Sequence, residues 1–223
     1  MKHIVVLTGA GMSRESGLKT FREEDGLWEG HDVMKVATPE GFSINPELVL
    51  EFYNQRRSQL LTAKPNDAHY ALANLEDDYS VTIVTQNVDD LHERAGSTNV
   101  LHLHGELFKV RSTYNSNYII DWKKDLNLGD KCPNGHQLRP HIVWFGEAVP
   151  MLENAIKICE TADILVIIGT SMQVYPAASL IHYVTNDTKI YYIDPNPALQ
   201  SQSYLTVIPE TATVGVNKLL DLL

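Results

Sequence analysis

The segment Ile4-Val5-Val6-Leu7-Thr8-Gly9-Ala10-Gly11 decides the fold class, because it joins a continuous apolar run directly to a glycine-rich turn. A run of this kind, rich in β-branched residues, is typical of a strand that is buried on both faces. Strands buried on both faces occur in parallel sheets that are covered by helices. The segment therefore predicts the first strand of a parallel α/β sheet.

Further apolar runs repeat this pattern along the chain. They cover residues 81–85, 100–103, 164–168 and 190–193, and helix-like segments at 91–95, 177–183 and 214–223 lie between or after them. Strands that alternate with helices are typical of a doubly wound, Rossmann-like parallel sheet. We expect the C-terminal helix to pack on this sheet.

Two intervals interrupt the alternation and predict a smaller inserted part. Between about residues 21 and 73 there is no strand-like run, and Asn45-Pro46-Glu47 resembles the start of a helix that continues to about Leu61. Residues 106–140 are polar, with turn signals around weak strand candidates. We expect one domain over residues 1–223, whose parts are a large part at about 1–20, 74–105 and 141–223 and a small part at about 21–73 and 106–140.

The composition excludes several classes of protein. Hydrophobic residues make up 43% of the 223 residues, and no apolar run approaches the roughly 20 residues of a membrane-spanning helix. The 18 basic and 28 acidic residues give a net charge of −10, the wrong sign for binding nucleic acid. The cysteines are too few for a disulfide framework, and the N-terminus runs straight into a strand rather than a secretory leader. We expect a cytoplasmic protein that binds neither nucleic acid nor membranes, and the sequence leaves the oligomeric state open.

The glycine-rich turn at residues 9–17 is the first candidate site. Glycines allow close backbone approach, and a helix N-terminus offers N–H groups to a diphosphate. The spacing departs from the dinucleotide fingerprint, because Gly17 comes six residues after Gly11. A plain strand-to-helix turn is therefore an equal alternative at this point.

Two more candidate sites follow predicted strands. Asn87 and Asp89 lie at the carboxyl end of a strand, where open α/β sheets hold ligands. Local physics favours the alternative that Asn87 is an N-cap and that Asp89 and Asp90 are first-turn acids, which needs no ligand. His104 ends another strand beside Gly105, where an imidazole could act as a general base. A structural histidine is the alternative there.

Arg56 is anomalous within the predicted helix that begins at Pro46. It shares one helical face with four apolar or aromatic residues, Val49, Phe52, Tyr53 and Leu60. The guanidinium of Arg56 and the phenol of Tyr53, three residues apart, together suit a carboxylate. An internal ion pair, or extension of the arginine to solvent, is the alternative.

The cysteines and histidines predict no metal site. Cys132, His136 and His141 lack the paired short spacings of structural zinc ligands. Cys159 lies in an apolar, helix-like segment and is expected to be a packed core residue.

Taken together, the motifs resemble the sirtuin family of NAD-dependent protein deacylases. The resemblance covers nearly the whole chain in the right order. Its elements are Gly9-Ala10-Gly11-Met12-Ser13 with Ser16-Gly17 and Thr20-Phe21-Arg22, then Thr85-Gln86-Asn87-Val88-Asp89, Leu103-His104-Gly105, Val143-Trp144-Phe145-Gly146-Glu147 and Gly169-Thr170-Ser171.

The resemblance implies that NAD and an acylated lysine meet in a cleft between a Rossmann-like part and a smaller part built from two insertions. It assigns the diphosphate and nicotinamide ribose to Gly9, Ala10, Gly11, Ser13, Ser16, Gly17, Thr20, Phe21, Arg22 and Trp28. It assigns the nicotinamide pocket to Gln86, Asn87, Val88 and Asp89. It assigns the adenosine side to Gly169, Thr170, Ser171, Asp194, Pro195, Asn196 and Ala212. The family commonly has Asn where Asp194 aligns.

The resemblance also implies a mechanism. The acyl oxygen of the substrate attacks the anomeric carbon of the nicotinamide ribose, nicotinamide leaves, and His104 serves as base for a ribose hydroxyl. Asn87 and Asp89 orient the ribose, water and carboxamide, and the products are free lysine, nicotinamide and O-acyl-ADP-ribose. Val143, Phe145, Gly146 and Glu147 resemble the strand that pairs with the substrate backbone.

Within the family, Ala37, Tyr53 and Arg56 resemble the class that removes succinyl and malonyl groups. Three alternatives stay open: a deacetylase with little preference for acidic acyl groups, a protein ADP-ribosyltransferase, and a nucleotide-binding sensor without turnover. The chain departs from the family at its zinc site, where the four cysteine positions read Ser112, Asn115, Cys132 and Gly135. We therefore expect a degenerate zinc-ribbon-like module that packing and hydrogen bonds hold together without metal.

Overall fold

The structure is a computed structural model that describes residues 1–19, 27–28 and 30–223, and for residues 27 and 28 it describes the backbone alone. In chain order its strands are β1 (His3–Thr8), β2 (Leu27–Trp28), β3 (His31–Asp32), β4 (Ser80–Thr85), β5 (Val100–His102), β6 (Gly105–Ser112), β7 (Ile119–Asp121), β8 (Leu138–Ile142), β9 (Ile164–Ile168), β10 (Lys189–Ile193) and β11 (Leu205–Ile208).

Its α-helices are α1 (Gly11–Arg14), α2 (Val33–Val36), α3 (Pro39–Ile44), α4 (Pro46–Thr62), α5 (Asp67–Asn74), α6 (Leu91–Ala95), α7 (Leu152–Cys159) and α8 (Ala212–Leu220), with 3-10 helices at Leu75–Asp77 and Ala177–Tyr183. Each helix in the described ranges is too short or too polar to cross a lipid bilayer.

A six-stranded sheet in the order β11-β10-β9-β1-β4-β5 forms the large part, and every strand pair in it is parallel. The predicted Rossmann-like sheet is therefore confirmed. The chain builds outward from β1 to β4 and β5 on one side, and then returns to add β9, β10 and β11 on the other. This reversal places a topological switch point between β1 and β9, and ligands of open α/β sheets bind at the carboxyl ends of the strands there.

Helices cover both faces of this sheet, as the continuous apolar strands require. Ile4 and Val6 of β1 pack with α5 and α8, whereas Val5 and Leu7 pack with α7 on the other face. All four side chains are fully buried. The predicted C-terminal helix is confirmed as α8, with Val216 and Leu219 in the core.

The small part combines helices α2 to α4 with the antiparallel sheet β7-β6-β8. α4 begins as predicted, because Pro46 is its first residue and the Asn45 side chain accepts a hydrogen bond of 3.0 Å from the Leu48 N–H. Phe52 and Tyr53 of α4 pack in one cluster with Leu107 and Ile142 of the small sheet.

Two expectations about local structure are wrong. Residues 143–147 do not form a strand, because β8 ends at Ile142 and a turn follows, in which the Glu147 N–H bonds the Trp144 carbonyl at 3.0 Å. The helix-like segment predicted at residues 177–183 is confirmed, as a 3-10 helix. The first insertion also contains a strand pair, since Leu27 pairs with Asp32 in a short antiparallel ladder.

Candidate active site

A cavity of about 560 Å³ lies at the carboxyl ends of the central strands, against the small part. Among the described side chains, the residues predicted to bind NAD or substrate line this cavity. Ser16 and Gly17 are the exceptions. The predicted residues Thr20, Phe21 and Arg22 lie outside the described residues, and the side chain of Trp28 does as well.

Ser16 and Gly17, at the end of the glycine-rich turn, make hydrogen bonds to neighbouring helical segments. The Ser16 hydroxyl accepts a hydrogen bond of 3.1 Å from the Asn66 amide, and the Gly17 carbonyl accepts one of 3.2 Å from the Gln59 amide. These contacts join the end of the glycine-rich turn to α4 and to the start of α5. Their assignment to NAD therefore gains no support from the cavity lining.

Gly9 and Gly11 bring the turns after β1 and β9 into close contact. The Gly11 N–H donates to the Gly169 carbonyl at 2.8 Å. A Cβ on Gly9 would lie 2.7 Å from the Gly169 carbonyl oxygen, and one on Gly11 would lie 2.6 Å from the Gly169 Cα. Both distances are too short for any other residue, so the glycines are required for the cavity floor at the switch point.

Asn87, Ser13 and Asp89 form a buried hydrogen-bonded group beside this floor. The Asn87 amide donates to the Gly9 carbonyl at 3.0 Å and to the Ser13 hydroxyl at 3.1 Å. The Ser13 hydroxyl in turn donates to the Asp89 carboxylate at 2.9 Å. Burial raises the pKa of Asp89 to about 6, although the hydrogen bonds from Ser13 and from the Leu91 N–H oppose the rise.

The N-cap alternative fails for Asn87, and Asp89 lies just before the N-cap residue Asp90 rather than in the first turn of α6. The Asp89 side chain accepts the Leu91 N–H at 3.2 Å, where α6 begins, whereas the Asn87 amide points to Gly9 and Ser13. The Asn87 N–H donates to the Thr85 hydroxyl at 3.0 Å, and Thr85 accepts another bond of 2.8 Å from Thr8. Sequence reasoning missed these two threonines, whose signal is a polar residue at the end of each apolar run.

His104 is arranged as a neutral base. Its Nδ1 lies 3.0 Å from the Gln86 carbonyl oxygen, and because a carbonyl can only accept, Nδ1 carries the proton in this contact. Nε2 is then the basic nitrogen. Burial lowers the pKa of His104, with the Gln86 hydrogen bond opposing it, so the imidazole is neutral near pH 7.

Arg56, Tyr53 and Ala37 line the same cavity from the small part. The Arg56 guanidinium lies 3.9 Å from the centroid of the Phe52 ring, and its Nη1 donates to the Phe52 carbonyl at 2.9 Å. Tyr53 is 1% exposed, and burial raises the pKa of its phenol. The predicted apolar stripe is confirmed, since Val49, Phe52 and Leu60 are buried around these two polar groups.

Glu147, a predicted substrate-binding residue that lines the cavity, has its carboxylate engaged by neighbouring groups of the protein. Its carboxylate accepts hydrogen bonds from Arg139 at 2.7 and 3.0 Å, from Arg111 at 3.2 Å and from the Trp144 N–H at 2.8 Å. Burial would raise the pKa of Glu147, but the Arg139 hydrogen bonds and these other contacts outweigh it and hold the pKa below its usual value. These contacts join the turn that lines the cavity to β6 and β8.

The structure adds residues that the motifs did not indicate. Arg57, next to Arg56, is 1% exposed and donates to Asn54 at 2.7 Å, so α4 carries a second enclosed arginine. Glu15 lines the cavity and accepts the Thr213 N–H at 3.0 Å, which joins α1 to the first turn of α8. Neither residue has a sequence signal beyond its charge.

The four positions of the family's zinc site come together without a ligand set. The Ser112 hydroxyl lies 3.4 Å from the Cys132 sulfur, the Asn115 N–H donates to Ser112 at 3.3 Å, and the Gly135 N–H donates to the Cys132 carbonyl at 2.8 Å. Across the described ranges, no group of three or more His, Cys, Asp or Glu side chains could hold a metal ion.

The lining suits a dinucleotide. Asp194 follows β10 at the same edge of the sheet, is 9% exposed, and accepts the Asn196 N–H at 2.8 Å. In Rossmann folds a carboxylate about 20 residues after the glycine-rich turn binds a ribose hydroxyl, and Asp194 offers the same chemistry from the end of a different strand. Gly9 and Gly11 leave room for a diphosphate at one end of the cavity, and Asp194 offers an acceptor for ribose hydroxyls at the other. These residues therefore fit NAD.

Comparison with known proteins supports the same interpretation. Residues 9–176 match the model of the Sir2 family. A Helicobacter pylori protein named NAD-dependent protein deacylase is 63% identical over 195 residues, which are 87% of this chain and 85% of that protein. A solved Sir2 homolog–NAD complex superposes with a TM-score of 0.88 at 41% identity, over 99% of this chain and 88% of that chain. A structure described as Sir2–p53 peptide–NAD+ gives a TM-score of 0.79 at 28% identity, over 98% and 92% of the two chains.

Proposed function

The chain belongs to the Sir2 family and is an NAD-dependent protein deacylase, and from this premise we propose that it removes succinyl and malonyl groups from protein lysines. The family resemblance in the sequence is thereby confirmed, and so is the expected NAD dependence. The acyl preference rests on one observation. Arg56 and Tyr53 line the same cavity as His104.

The electrostatics of this end of the cavity support an acidic acyl group. Leu60 and Trp144 line it with apolar surface and pack in one cluster with Phe52, so a carboxylate that enters loses hydration. Arg56 offers a permanent positive charge, and the phenol of Tyr53 stays protonated because burial raises its pKa. The buried Ala37 takes little space beside them. An acetyl group has no carboxylate with which to use this charge.

The residues at the reacting end have distinct roles in the proposal. NAD, when bound, supplies an anomeric carbon from which nicotinamide leaves as the acyl oxygen of the substrate attacks. Asn87 and Asp89, fixed through Ser13, hold the nicotinamide side of the pocket. His104 accepts a proton from a ribose hydroxyl at its basic Nε2. Gly169, Thr170 and Asp194 hold the adenosine side.

We assign the substrate to protein or peptide lysines because the related Sir2–p53 peptide–NAD+ structure contains a peptide. Val143, Phe145 and Gly146 line the cavity next to Ala37, so they are the candidates for contacts with the substrate backbone. Both cysteines are unpaired and buried, which supports the cytoplasm as the compartment.

The test is nicotinamide release measured across lysine peptides of one sequence that carry acetyl, malonyl or succinyl groups. The proposal expects higher kcat/KM for the two acidic acyl groups than for acetyl. Equal or higher kcat/KM for acetyl would assign the chain to deacetylation. Labelled NAD that becomes attached to protein without any acyl-lysine would assign it to ADP-ribosylation.

A further inference from the structure

His102 occupies an unusual place behind the nicotinamide side of the cavity. It ends β5, in register with Thr85 at the end of β4, and its side chain is 9% exposed. Its Nε2 lies 2.7 Å from a Glu93 carboxylate oxygen on α6. Its Nδ1 lies 3.2 Å from the backbone carbonyl oxygen of Asn87. The ring therefore bridges a helix and the segment that carries the site residues.

Both partners of this ring are acceptors. A carbonyl oxygen cannot donate a hydrogen bond, and neither can an ionised carboxylate. Burial would raise the pKa of Glu93, but its hydrogen bond to His102 outweighs burial and holds the pKa below its usual value. Two acceptors require two N–H donors, so both contacts are satisfied only when His102 is an imidazolium.

The remaining groups of Asn87 are already fixed. Its N–H bonds Thr85, and its amide bonds Gly9 and Ser13. The contact from His102 fixes the backbone carbonyl, and so determines the plane of the peptide bond between Asn87 and Val88. That plane sets the direction in which the chain continues to Asp89.

We propose that His102 and Glu93 are positioning residues for the deacylase reaction: together they hold the Asn87 carbonyl, and through it the segment from Asn87 to Asp89, in the geometry that nicotinamide release requires. Neither side chain lines the cavity. The proposal does not depend on which acyl group is preferred.

The charge of His102 makes its contacts with Glu93 and the Asn87 carbonyl dependent on pH. Burial lowers the pKa of His102, but the hydrogen bond and charge of Glu93 outweigh it, helped by Glu106 and by the Asn87 carbonyl, so the pKa lies above its ordinary value. The charged and titratable groups around it on the packed elements are Glu93 and His92 on α6, Asp89 before α6, and Glu106 and Lys109 on β6. As pH rises through the pKa of His102, one of the two hydrogen bonds is lost.

The test uses His102→Gln and Glu93→Gln with an acetyl-lysine peptide and NAD. Glu93 is partly exposed, with 39% of its side-chain surface accessible, so Glu93→Gln is expected to fold. We expect kcat for nicotinamide release to fall by about 10-fold or more in both variants, because small displacements of positioned groups cost 10- to 100-fold. The KM for the peptide should change by less than about twofold, since these residues touch no substrate.

The pH profile separates positioning from a merely structural role. In the unsubstituted protein kcat should decrease above the pKa of His102. In Glu93→Gln this decrease should begin at lower pH, because the carboxylate that raises the pKa is gone. Glu153→Gln, which removes an exposed carboxylate from α7, is the matched control and should leave the profile unchanged.

Either of two results would overturn the proposal. One is a Glu93→Gln protein with unchanged kcat and an unchanged alkaline decrease. The other is a loss of thermal stability in both variants while kcat of the folded fraction stays the same. If His102→Gln does not fold, the result with Glu93→Gln decides alone.

Discussion

The indole Nε1 of Trp144 donates a hydrogen bond of 2.9 Å to the Tyr53 hydroxyl, which ties the turn after β8 to the middle of α4. The donor, Trp144, is itself held in place by its neighbours. The Arg139 guanidinium lies 3.4 Å from the centroid of the Trp144 ring, and Arg139 bonds Glu147. The phenol is thus held by the same turn that carries the expected contacts to the substrate backbone.

Substitution Trp144→Phe should lower kcat/KM for a succinyl-lysine peptide by about fivefold, because one net hydrogen bond contributes about 1 kcal/mol. The phenylalanine keeps the aromatic packing but cannot donate to Tyr53. We expect kcat/KM for the acetyl-lysine peptide to change much less. Parallel assays of the two peptides provide the measurement.

A double-mutant cycle tests whether Trp144 acts through Tyr53. In a Tyr53→Phe background the hydroxyl is absent, so Trp144→Phe should have little further effect on desuccinylation. Additive losses in the double variant would show that Trp144 acts by another route.

Substitution Arg56→Met should lower kcat/KM for desuccinylation by roughly 100- to 1000-fold, because an enclosed contact between opposite charges contributes about 3 to 4 kcal/mol. Deacetylation should persist, since an acetyl group has no carboxylate. The matched control is Lys64→Met, which also removes one positive charge, at an exposed position just after α4. If both activities fall equally in Arg56→Met, Arg56 is structural and the acyl preference has no basis.

The sequence predicted the parts of the site that follow directly from strand ends. Gly9, Asn87 and His104 each come just after or at the end of an apolar run, and parallel strands bring their carboxyl ends to one edge. β11 was not predicted, although Thr206, Val207 and Ile208 are β-branched, because a run of only four residues at the sheet edge is a short signal. An edge strand needs less apolar surface than a central one.

Other features could not be predicted because they depend on packing between distant elements. Helical spacing places Arg56 and Arg57 about 100° apart on α4, so both lie near the buried face, and only the packed structure shows which one lines the cavity. The contact between His102 and Glu93 depends on how α6 packs beside β5. Val143 to Glu147 was wrongly predicted as a strand, since its apolar residues fill a turn that Arg139 and Glu147 fix.

Removal of divalent metal should leave the protein unchanged. The cysteine positions of the family's zinc site contain Ser112, Asn115, Cys132 and Gly135, and three of these side chains are poor zinc ligands or none. We expect treatment with a chelator to shift neither the Tm nor the rate of nicotinamide release. Metal analysis of the purified protein should give far less than one zinc per chain, and stoichiometric zinc would contradict the prediction.

The buried histidine pair below the site should make the protein sensitive to acid. His69 is fully buried, its ring centroid lies 4.9 Å from that of His92, and burial lowers the pKa of His69 to about 4. The unfolded chain takes up this proton below about pH 6.5, whereas the folded chain does not until about pH 4, so stability falls as pH decreases through this window. For His69 alone the loss should approach about 3 kcal/mol at the acid end.

Substitution His69→Gln isolates this contribution, because glutamine also suits the capping box in which His69 Nδ1 accepts the Asn66 N–H at 3.3 Å. The free energy of unfolding in urea, measured at about pH 7.5 and about pH 5, should fall more for the unsubstituted protein than for His69→Gln. The difference should be about 2 kcal/mol, since each pH unit within the window contributes about 1.4 kcal/mol. If both proteins lose the same free energy between these two pH values, His69 is protonated in the folded state as readily as in the unfolded chain, and the acid sensitivity must arise from other groups.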